Sequence, residues 1–359
     1  MLGARPRLLI LLGLMLSIGL VLGLVGQAPS NGDRLLPNPK VPADQTIDVG
    51  LQISNVYNLS LRDKTFTAEG WYWLKWPEAV QQRINQGQIP VEGLVEFANQ
   101  VERWDMSIEP ANKEPQRTAD GRYLQVFRFS GRFYDDHQNL SMFPFEQLEL
   151  PISIETRPSS FSMANQAIVL RPATAKDEVL GDSVDLNGYS VTGLRVEAGQ
   201  QVYSTSFGDQ GTLSQRYSRV SYVLNYRTNV WSAFYTFVVP WLAVMVMLLL
   251  APSLTGDLKD VRLAVPSTAL LTFVFLRESS TSGLPPLDYL TYIDKLYIMG
   301  FVASTVLFCL FVWSSNLLSQ VHPDQEAATI ARINQVDRAY QFTVLGSMVI
   351  LLIAGVVRR

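Results

Sequence analysis

The stretch Arg262-Leu-Ala-Val-Pro-Ser-Thr-Ala-Leu-Leu-Thr-Phe-Val-Phe-Leu-Arg-Glu-Ser-Ser-Thr-Ser-Gly-Leu284 organises the chain. As a helix it is long enough to cross a bilayer, which takes roughly 20 residues, but it is too polar to face lipid on every side. Steps of four and three residues place a mixed set of small, hydroxyl, apolar and acidic side chains on one helical face. These are Ala264, Thr268, Leu271, Phe275, Glu278 and Ser282.

Two interpretations fit this face. The first is an ordinary helix of a membrane bundle, whose hydroxyl groups hydrogen-bond to neighbouring helices. The second is a pore-lining helix that repeats around a symmetry axis. Small and hydroxyl residues are common at helix interfaces, so the face taken alone favours the first interpretation.

The residues that follow favour the second interpretation. They are Leu284-Pro-Pro-Leu-Asp-Tyr-Leu-Thr-Tyr-Ile-Asp-Lys295, a run that resembles the junction between the second and third helices of the prokaryotic pentameric ligand-gated ion channels (Cys-loop receptors). Counting back from Pro285 places Arg262 at that family's inner-end Arg and Leu271 at its mid-pore Leu. The resemblance implies five subunits around a pore lined by Asp260, Ala264, Thr268, Leu271, Phe275, Glu278 and Ser282.

The resemblance extends over roughly residues 45–357. Phe143-Pro-Phe-Glu146 is similar to the signature of the family's Cys-loop, with Glu in place of Asp and without the two cysteines, as in prokaryotic members. Asp63-Lys-Thr-Phe66 resembles the family's first hairpin, and Arg227 stands just before the first spanning helix. In this order the motifs are far more specific than any one of them alone.

Composition narrows the class of protein. The chain has 359 residues, is 48% hydrophobic and only 17% charged, and has a net charge of −3, so nothing indicates nucleic acid as a partner. The single cysteine, Cys309, lies in an apolar run and is expected to be buried and inert. Two histidines, far apart in sequence, do not predict a metal site, and no cofactor motif is present.

The chain divides into segments of different composition. Residues 1–28 carry basic residues and then an apolar run, as in a cleaved secretory signal or an uncleaved anchor, and 29–44 is a turn-rich lead-in. Residues 45–227 show alternating β-branched and aromatic residues broken by Gly, Pro and Asn. That pattern predicts an exported antiparallel β-sandwich, which by the resemblance is the ligand-binding domain.

The remainder, 228–357, predicts a transmembrane domain of four helices at about 230–251, 261–282, 292–317 and 340–357. Lys259 and Arg262 fall in the first internal loop, and Arg332 and Arg338 fall in the second, as the positive-inside rule requires. The expected location is the bacterial inner membrane, with the first domain on the periplasmic or extracellular side.

The predicted pore residues indicate how such a pore would gate and which ions it would favour. Five copies of Leu271 and Phe275 form apolar rings that can gate by dewetting, and carboxylate rings at Asp260 and Glu278 favour cations over anions. Lys259 could neutralise the inner ring. Arg277 either pairs with Glu278 or points behind the helix, and Pro266 could kink the helix.

Two further sets of residues follow from the resemblance. Asp63, Lys64, Glu146 and Arg227 are expected to meet the turn that begins at Pro285 and to couple the sandwich to the helices, although a purely structural clamp fits equally well. The ligand box between subunits is expected to include Glu96, Phe97, Glu155, Arg157, Tyr203 and Tyr217. An Arg in the box suits a carboxylate ligand, whereas aromatic residues suit an amine.

The sequence therefore predicts a homopentameric ligand- or proton-gated ion channel, cation-selective rather than anion-selective. Its partners are copies of itself, permeant inorganic ions, a small-molecule agonist or a proton, and membrane lipid. His137, which titrates near neutral pH, is a candidate for proton gating, but an ordinary loop histidine is the favoured interpretation. The alternative is a non-conducting membrane-anchored periplasmic sensor with the same fold. An enzyme is not expected, because no nucleophile–base pair, metal-ligand spacing or phosphate loop is present.

Overall fold

The computed structural model describes residues 35–87, 90–135, 138–157, 168–173, 180–205, 215–254, 259–322 and 325–357. These residues form two compact units. The sheet unit contains the described residues of 35–138 and 147–227, and the helical unit contains those of 139–146 and 228–357. One boundary thus follows Arg227, and the short segment 139–146 belongs to the helical unit although its neighbours in sequence are strands.

The sheet unit is rich in β-structure, as the period-two pattern predicted. Its described strands are β1 Thr46–Ser60, β2 Thr65–Trp76, β3 Val95–Phe97, β4 Gln100–Val101, β5 Ser107–Pro110, β6 Gln116–Arg117, β7 Tyr123–Tyr134, β8 Gln147–Thr156, β9 Val169–Pro172, β10 Leu180–Ser183, β11 Tyr189–Tyr203 and β12 Gln215–Thr228. One helix, α1 (Glu78–Gly87), follows β2.

The first sheet has the order β10-β1-β2-β7-β4, with β9 also pairing β1 and with β5 and β6 also pairing β7. β2 and β7 pair antiparallel without interruption from Thr65↔Tyr134 to Trp76↔Tyr123. β9 and β10, however, pair parallel with β1, whereas the sequence predicted only antiparallel pairing. Side chains alternate in the same way in either direction, so periodicity predicts a strand but not its direction.

The second sheet has the order β11-β12-β8-β3. Aromatic side chains fill the space between the two sheets. Phe97 of β3 lies 5.4 Å from the ring of Tyr72 on β2 and 5.2 Å from that of Phe129 on β7. The Tyr222 hydroxyl of β12 donates a 2.8 Å hydrogen bond to the Val49 carbonyl of β1. Burial of each large side chain contributes about 1.5–3 kcal/mol, so this layer holds the two sheets together.

The helical unit contains four long helices: α2 Val230–Ser253, α3 Lys259–Thr281, α4 Tyr292–Ser319 and α5 Glu326–Val357. Among the described residues, α2, α4 and the Glu326–Gly355 part of α5 are long and apolar enough to cross a membrane. These three helices fit a multi-pass membrane protein, as predicted. α3 is not among them, because it carries charged residues at both ends.

α2 contains a π-helical turn at Phe234–Val238, which ends two residues before Pro240. Pro240 has no N–H to donate to the carbonyl four residues earlier, and its ring crowds that carbonyl. A wider turn relieves both effects. The indole N–H of Trp241 then donates to the Leu296 carbonyl at 2.8 Å, which joins α2 to α4.

α5 begins at Glu326, two heptads before the predicted start at about 340, so most of the stretch predicted to link the third and fourth helices is helical instead. Ile333, Val336, Asp337 and Tyr340 are all buried. Their spacing of three, four and seven residues is that of one helical face. Apolar run length did not predict this part of the helix, because polar residues on its other sides lower the mean hydropathy of the segment.

Cys309 of α4 is exposed rather than buried, which corrects the expectation of an interior thiol. It lies on a face with Thr305, Phe308 and Val312, all of which are exposed. This is a helical spacing of three, four and seven residues. The apolar run predicted the helix but did not indicate which of its faces meets the neighbouring helices.

Candidate functional site

The face of α3 that the sequence singled out is exposed along its whole length. Its residues all lie at the surface, namely Asp260, Ala264, Thr268, Leu271, Phe275 and Glu278, and so does Ser282, which directly follows the helix. Leu271 is 56% exposed and Phe275 is 65% exposed. Two large apolar side chains, one turn apart, are therefore uncovered in the single chain and are available to a partner or a lumen.

The opposite face of α3 packs against the other helices of the unit. Arg262, Pro266, Ala269 and Phe273 are buried, and their spacing of four, seven and eleven residues is that of one face. α3 continues as a helix through Pro266. Because the proline faces inward, it leaves the exposed face uninterrupted.

Arg277, which precedes Glu278 in the sequence, does not pair with it. Arg277 binds the carboxylate of Asp294 on α4, with Nε 3.1 Å and Nη2 3.0 Å from Oδ1. The other oxygen of Asp294 accepts from the Thr291 backbone N–H at 3.2 Å and from its hydroxyl at 2.8 Å, which closes a capping box. Within the described part of the chain Glu278 has no salt-bridge partner, so its charge stays on the exposed face.

At the other end of α3 a buried ion pair joins three helices. Arg262 Nη2 lies 2.6 Å from Asp337 Oδ2 of α5, and each side chain is only 7% exposed. The guanidinium of Arg262 also lies 4.3 Å from the ring centre of Phe311 on α4. Asp260 is exposed, whereas the side chain of Lys259, which could neutralise it, lies outside the described residues.

The segment 139–146 packs on the beginning of α4. The Ser141 carbonyl accepts from the Tyr292 backbone N–H at 2.9 Å, and the Phe143 carbonyl accepts from that of Ile293 at 3.1 Å. The Tyr289 hydroxyl accepts from the Leu140 backbone N–H at 3.0 Å. Helix α4 thus satisfies its first backbone donors on this segment, as an N-terminus requires.

Two predicted coupling residues belong to this assembly. Glu146, at the end of the segment, is buried, and its backbone carbonyl accepts from the Thr228 hydroxyl at 3.0 Å. Pro285 is also buried. An aromatic contact adds to this packing: the ring centres of Phe143 and Phe237 of α2 lie 5.1 Å apart.

The other three predicted coupling residues lie in the sheet unit. Asp63 and Lys64 form the turn between β1 and β2, where the Ser60 hydroxyl donates to Asp63 at 2.8 Å. Lys64 has a positive φ of 56°, and its carbonyl accepts from the Asp135 backbone N–H at 2.8 Å. Arg227, near the end of β12, is exposed.

The predicted ligand residues fall mostly into one row of charged side chains across the second sheet, called the ligand row below. Strand register places Glu96 of β3 opposite Glu155 of β8, and Glu155 opposite Arg219 of β12. Arg219 Nε donates to Glu155 Oε2 at 2.7 Å. Arg157 Nε lies 3.5 Å from Glu96 Oε2, which Arg103 also approaches at 2.6 Å.

Tyr203 and Tyr217 close this row. The Tyr203 hydroxyl donates to Glu155 Oε1 at 3.0 Å and accepts from Arg219 Nη2 at 2.9 Å. The two tyrosine rings lie 5.8 Å apart. Burial is the main cause that raises the pKa of Glu155, and the nearby Arg219 lowers that pKa in part. Burial and the Glu155 charge raise the pKa of Tyr203 to about 12.

Phe97 does not join this row, because β3 points it inward to the aromatic layer between the sheets. Arg219 and Arg103 belong to it but were not predicted. For Arg219 a signal existed: it lies two residues after Tyr217 on the same strand, and so on the same face. For Arg103 no sequence signal existed, since its approach to Glu96 depends on how the following turn folds.

Two predicted features lie wholly or partly outside the described residues: His137, and the segment between the candidate ligand residues Tyr203 and Tyr217, of which positions 206–214 are not described. Over the part of the chain that is described, no three His, Cys, Asp or Glu side chains cluster as metal ligands would. No protein-family model matches the chain, and no curated protein matches it. The geometry and the sequence therefore carry the functional argument alone.

Proposed function

We propose that the chain is a subunit of a homopentameric, gated ion channel of the bacterial inner membrane. In this proposal α2, α3, α4 and α5 form a four-helix transmembrane bundle, and the sheet unit is a periplasmic or extracellular ligand-binding sandwich. The observation that carries the proposal is the exposed face of α3, which presents polar, acidic and apolar side chains on a helix buried on its other side. Five subunits come from the sequence resemblance to Cys-loop receptors.

Cation selectivity is supported by the carboxylates of that face. Five copies of Glu278 would form an acidic ring, and Arg277 does not cancel it because it is bound to Asp294. Asp260 would form a second ring at the other end. Rings of one sign raise the local concentration of the opposite ion and repel its co-ion. Passage of ions through such a pore involves no bond chemistry, so the chain is not proposed as an enzyme.

Coupling is supported by the packing of segment 139–146 on α4. A movement transmitted to this segment would act on the backbone of Tyr292 and Ile293 through two hydrogen bonds. It would then reach α3 through the Asp294–Arg277 pair. Such a chain of contacts is a physical route within the helical unit from segment 139–146 to α3, provided that α3 has two stable positions.

The ligand row supports an anionic rather than a cationic small-molecule agonist. In an amine-binding box, aromatic faces attract the ligand cation. Here Arg219 already places a guanidinium against Tyr203 and Glu155, and Arg103 and Arg157 add two more cations beside Glu96. Three guanidinium groups against two carboxylates leave a positive excess that suits a carboxylate.

The test is current recording from the purified chain in liposomes. The external pH is stepped from 8 to 4, and panels of amino acids and amines follow. A cation current that loses its preference for Na⁺ over Cl⁻ in Glu278→Ala or Asp260→Ala would support the pore and its rings. The matched control is Glu109→Ala, an exposed carboxylate of β5 in the sheet unit, which should leave the preference unchanged.

The rival function is a non-conducting periplasmic sensor with the same fold. The neighbouring exposed side chains of Leu271 and Phe275 favour it, because five copies of each could keep the axis closed. Leu271→Ala removes the larger part of one ring and should open a closed but functional pore. Silence of the wild type under every condition, together with silence of Leu271→Ala, would favour the sensor.

A further inference from the structure

A cavity of about 670 Å³ lies on the first sheet of the sheet unit, away from the ligand row on the second sheet. Its lining includes Asp48, Trp73, Lys75, Val126 and Arg171. This volume lies within the range of about 300–1,000 Å³ that small-molecule sites occupy. Neither the proposed pore nor the ligand row uses any of these residues.

Strand register explains why charged side chains gather here. Arg171 of β9 stands opposite Asp48 of β1, Asp48 stands opposite Lys75 of β2, and Lys75 stands opposite Leu124 of β7. Neighbouring residues of one such row project from the same side of a sheet. The parallel β9, which the sequence did not predict, is the strand that brings Arg171 to this row.

The acidic member of the row is fully engaged. Asp48 Oδ1 accepts from Arg171 Nε at 2.7 Å, and its Oδ2 accepts from Arg122 Nη1. Arg122 is also tied to the Lys75 carbonyl at 2.9 Å, and the Asp48 side chain is only 11% exposed. Both oxygens of Asp48 are therefore already paired with guanidinium groups of the protein.

The basic side chains of the row keep hydrogen-bond donors that a ligand could use. The Arg171 side chain is 60% exposed, and within the described residues its two Nη groups make no hydrogen bond. Lys75 Nζ lies 2.7 Å from Asp120 Oδ2, an exposed partner in the loop after β6. Two carboxylates against three cations leave one positive charge in excess, so the open positions around the cavity are donors.

An apolar wall stands beside these donors. The Trp73 indole lies over Gly50, where an added Cβ would come within 2.0 Å of the ring. Gly50 therefore lets the indole lie against the sheet. Val126 of β7 stands opposite Trp73 in the strand register, and Pro172 of β9 lines the cavity as well. The wall suits a flat or branched hydrocarbon group.

We propose that this cavity binds a small monocarboxylate that carries an aromatic or branched apolar group. The carboxylate would accept two hydrogen bonds from the Nη1 and Nη2 edge of Arg171, a bidentate arrangement to which a guanidinium is suited. The hydrocarbon group would lie on the Trp73 indole. The site goes beyond the proposed channel function, and a ligand there would act on the sheet unit whether or not the chain conducts.

The test uses the purified full-length chain in detergent, with benzoate and 3-methylbutanoate as probes. Tryptophan fluorescence is the readout, because Trp73 lines the cavity. We expect saturable quenching by benzoate, absent in Trp73→Phe, and an apparent affinity at least about tenfold weaker in Arg171→Gln, equivalent to about 1.4 kcal/mol. Arg195→Gln is the matched control, since Arg195 is an exposed arginine of β11 paired with Glu149 at 2.8 Å, and its quenching curve should match that of the wild type.

Three results would overturn the proposal. The first is no saturable signal with either acid in the wild-type chain. The second is an unchanged benzoate affinity in Arg171→Gln, when that variant keeps the wild-type unfolding temperature. The third is equal or tighter binding of benzylamine, the amine of matched size, because an amine cannot use the Arg171 donors. None of these readouts depends on ion conduction, so failure of the channel proposal leaves the test intact.

Discussion

Glu155 is the side chain on which the second sheet's charged row depends. It is buried, and its two oxygens accept from Arg219 and from the Tyr203 hydroxyl. A buried carboxylate is tolerated only while such partners remain, because its desolvation costs several kcal/mol. Glu96, at the start of the row, has two arginine neighbours of its own and depends less on Arg219.

We predict that Arg219→Gln destabilises the chain by about 3–5 kcal/mol at pH 7, the usual cost of removing one partner of a buried pair. Burial already raises the pKa of Glu155, and loss of Arg219 raises that pKa further. A raised folded-state pKa adds stability below the unfolded-state pKa, and that stability is lost as the pH rises through the folded-state value. The difference in unfolding temperature from the wild type should therefore shrink between pH 7 and pH 5.

Thermal unfolding at several pH values measures this effect. Arg195→Gln is again the control, because its pair with Glu149 is exposed and exposed pairs contribute about 0–1 kcal/mol. A difference for Arg219→Gln that stays constant with pH would show that the cost arises from lost packing rather than from the Glu155 charge.

A glycine allows two helices of the helical unit, α3 and α4, to pack closely. Gly300 of α4 lies under the Phe273 ring of α3, and an added Cβ would meet ring atoms at 2.9 Å. Phe273 is fully buried, so the ring has no free space into which to move. Interhelical contact at small residues is the usual way in which helices pack in membranes.

We predict that Gly300→Ala destabilises the chain by about 1–3 kcal/mol, the cost of overpacking a filled interior. Gly346→Ala on α5 is the matched control, because an added Cβ there meets nothing within 4 Å. That change should stabilise the helix by up to about 1 kcal/mol through the higher helix propensity of alanine. Unfolding temperatures in detergent should therefore move in opposite directions, and a shared direction would contradict the packing described for α3 and α4.

For the assembled protein, the proposed symmetry places the exposed face of α3 against copies of itself. A single chain leaves Leu271 and Phe275 uncovered beside acidic and hydroxyl groups. Lipid does not suit the acidic groups and water does not suit the apolar ones. A shared axis resolves both, because the apolar side chains form rings and the carboxylates border a lumen.

We predict that Ala264→Cys cross-links between chains under mild oxidation, in a Cys309→Ser background that removes the single native cysteine. Ala264 lies on the exposed face of α3, so copies around an axis bring its side chains together. Val349→Cys, on an exposed position of α5, should remain uncross-linked, because the proposed bundle turns that face toward lipid. Denaturing gels measure the cross-linked dimer. Equal cross-linking of the two variants would contradict an axis beside α3.

Some of this protein could be predicted from sequence because the information is local. A strand's period of two, a helix's period of 3.6 and the length of an apolar run are set by neighbouring residues along the chain. Those patterns predicted the sheet-rich region, the apolar helices and the set of α3 residues that proves to be exposed. The expectation that an arginine among the candidate ligand residues suits a carboxylate came instead from the family resemblance, and it stays a prediction.

Tertiary structure decided whatever depends on contacts between distant residues. The direction of β9 and β10, the inward turn of Phe97, the early start of α5 and the pairing of Arg277 with Asp294 rather than Glu278 are of this kind. So is the cavity beside Arg171. Each arises where side chains from separate strands or helices compete for one partner or one space, and that competition is settled by burial and charge pairing, which no single segment of the sequence contains.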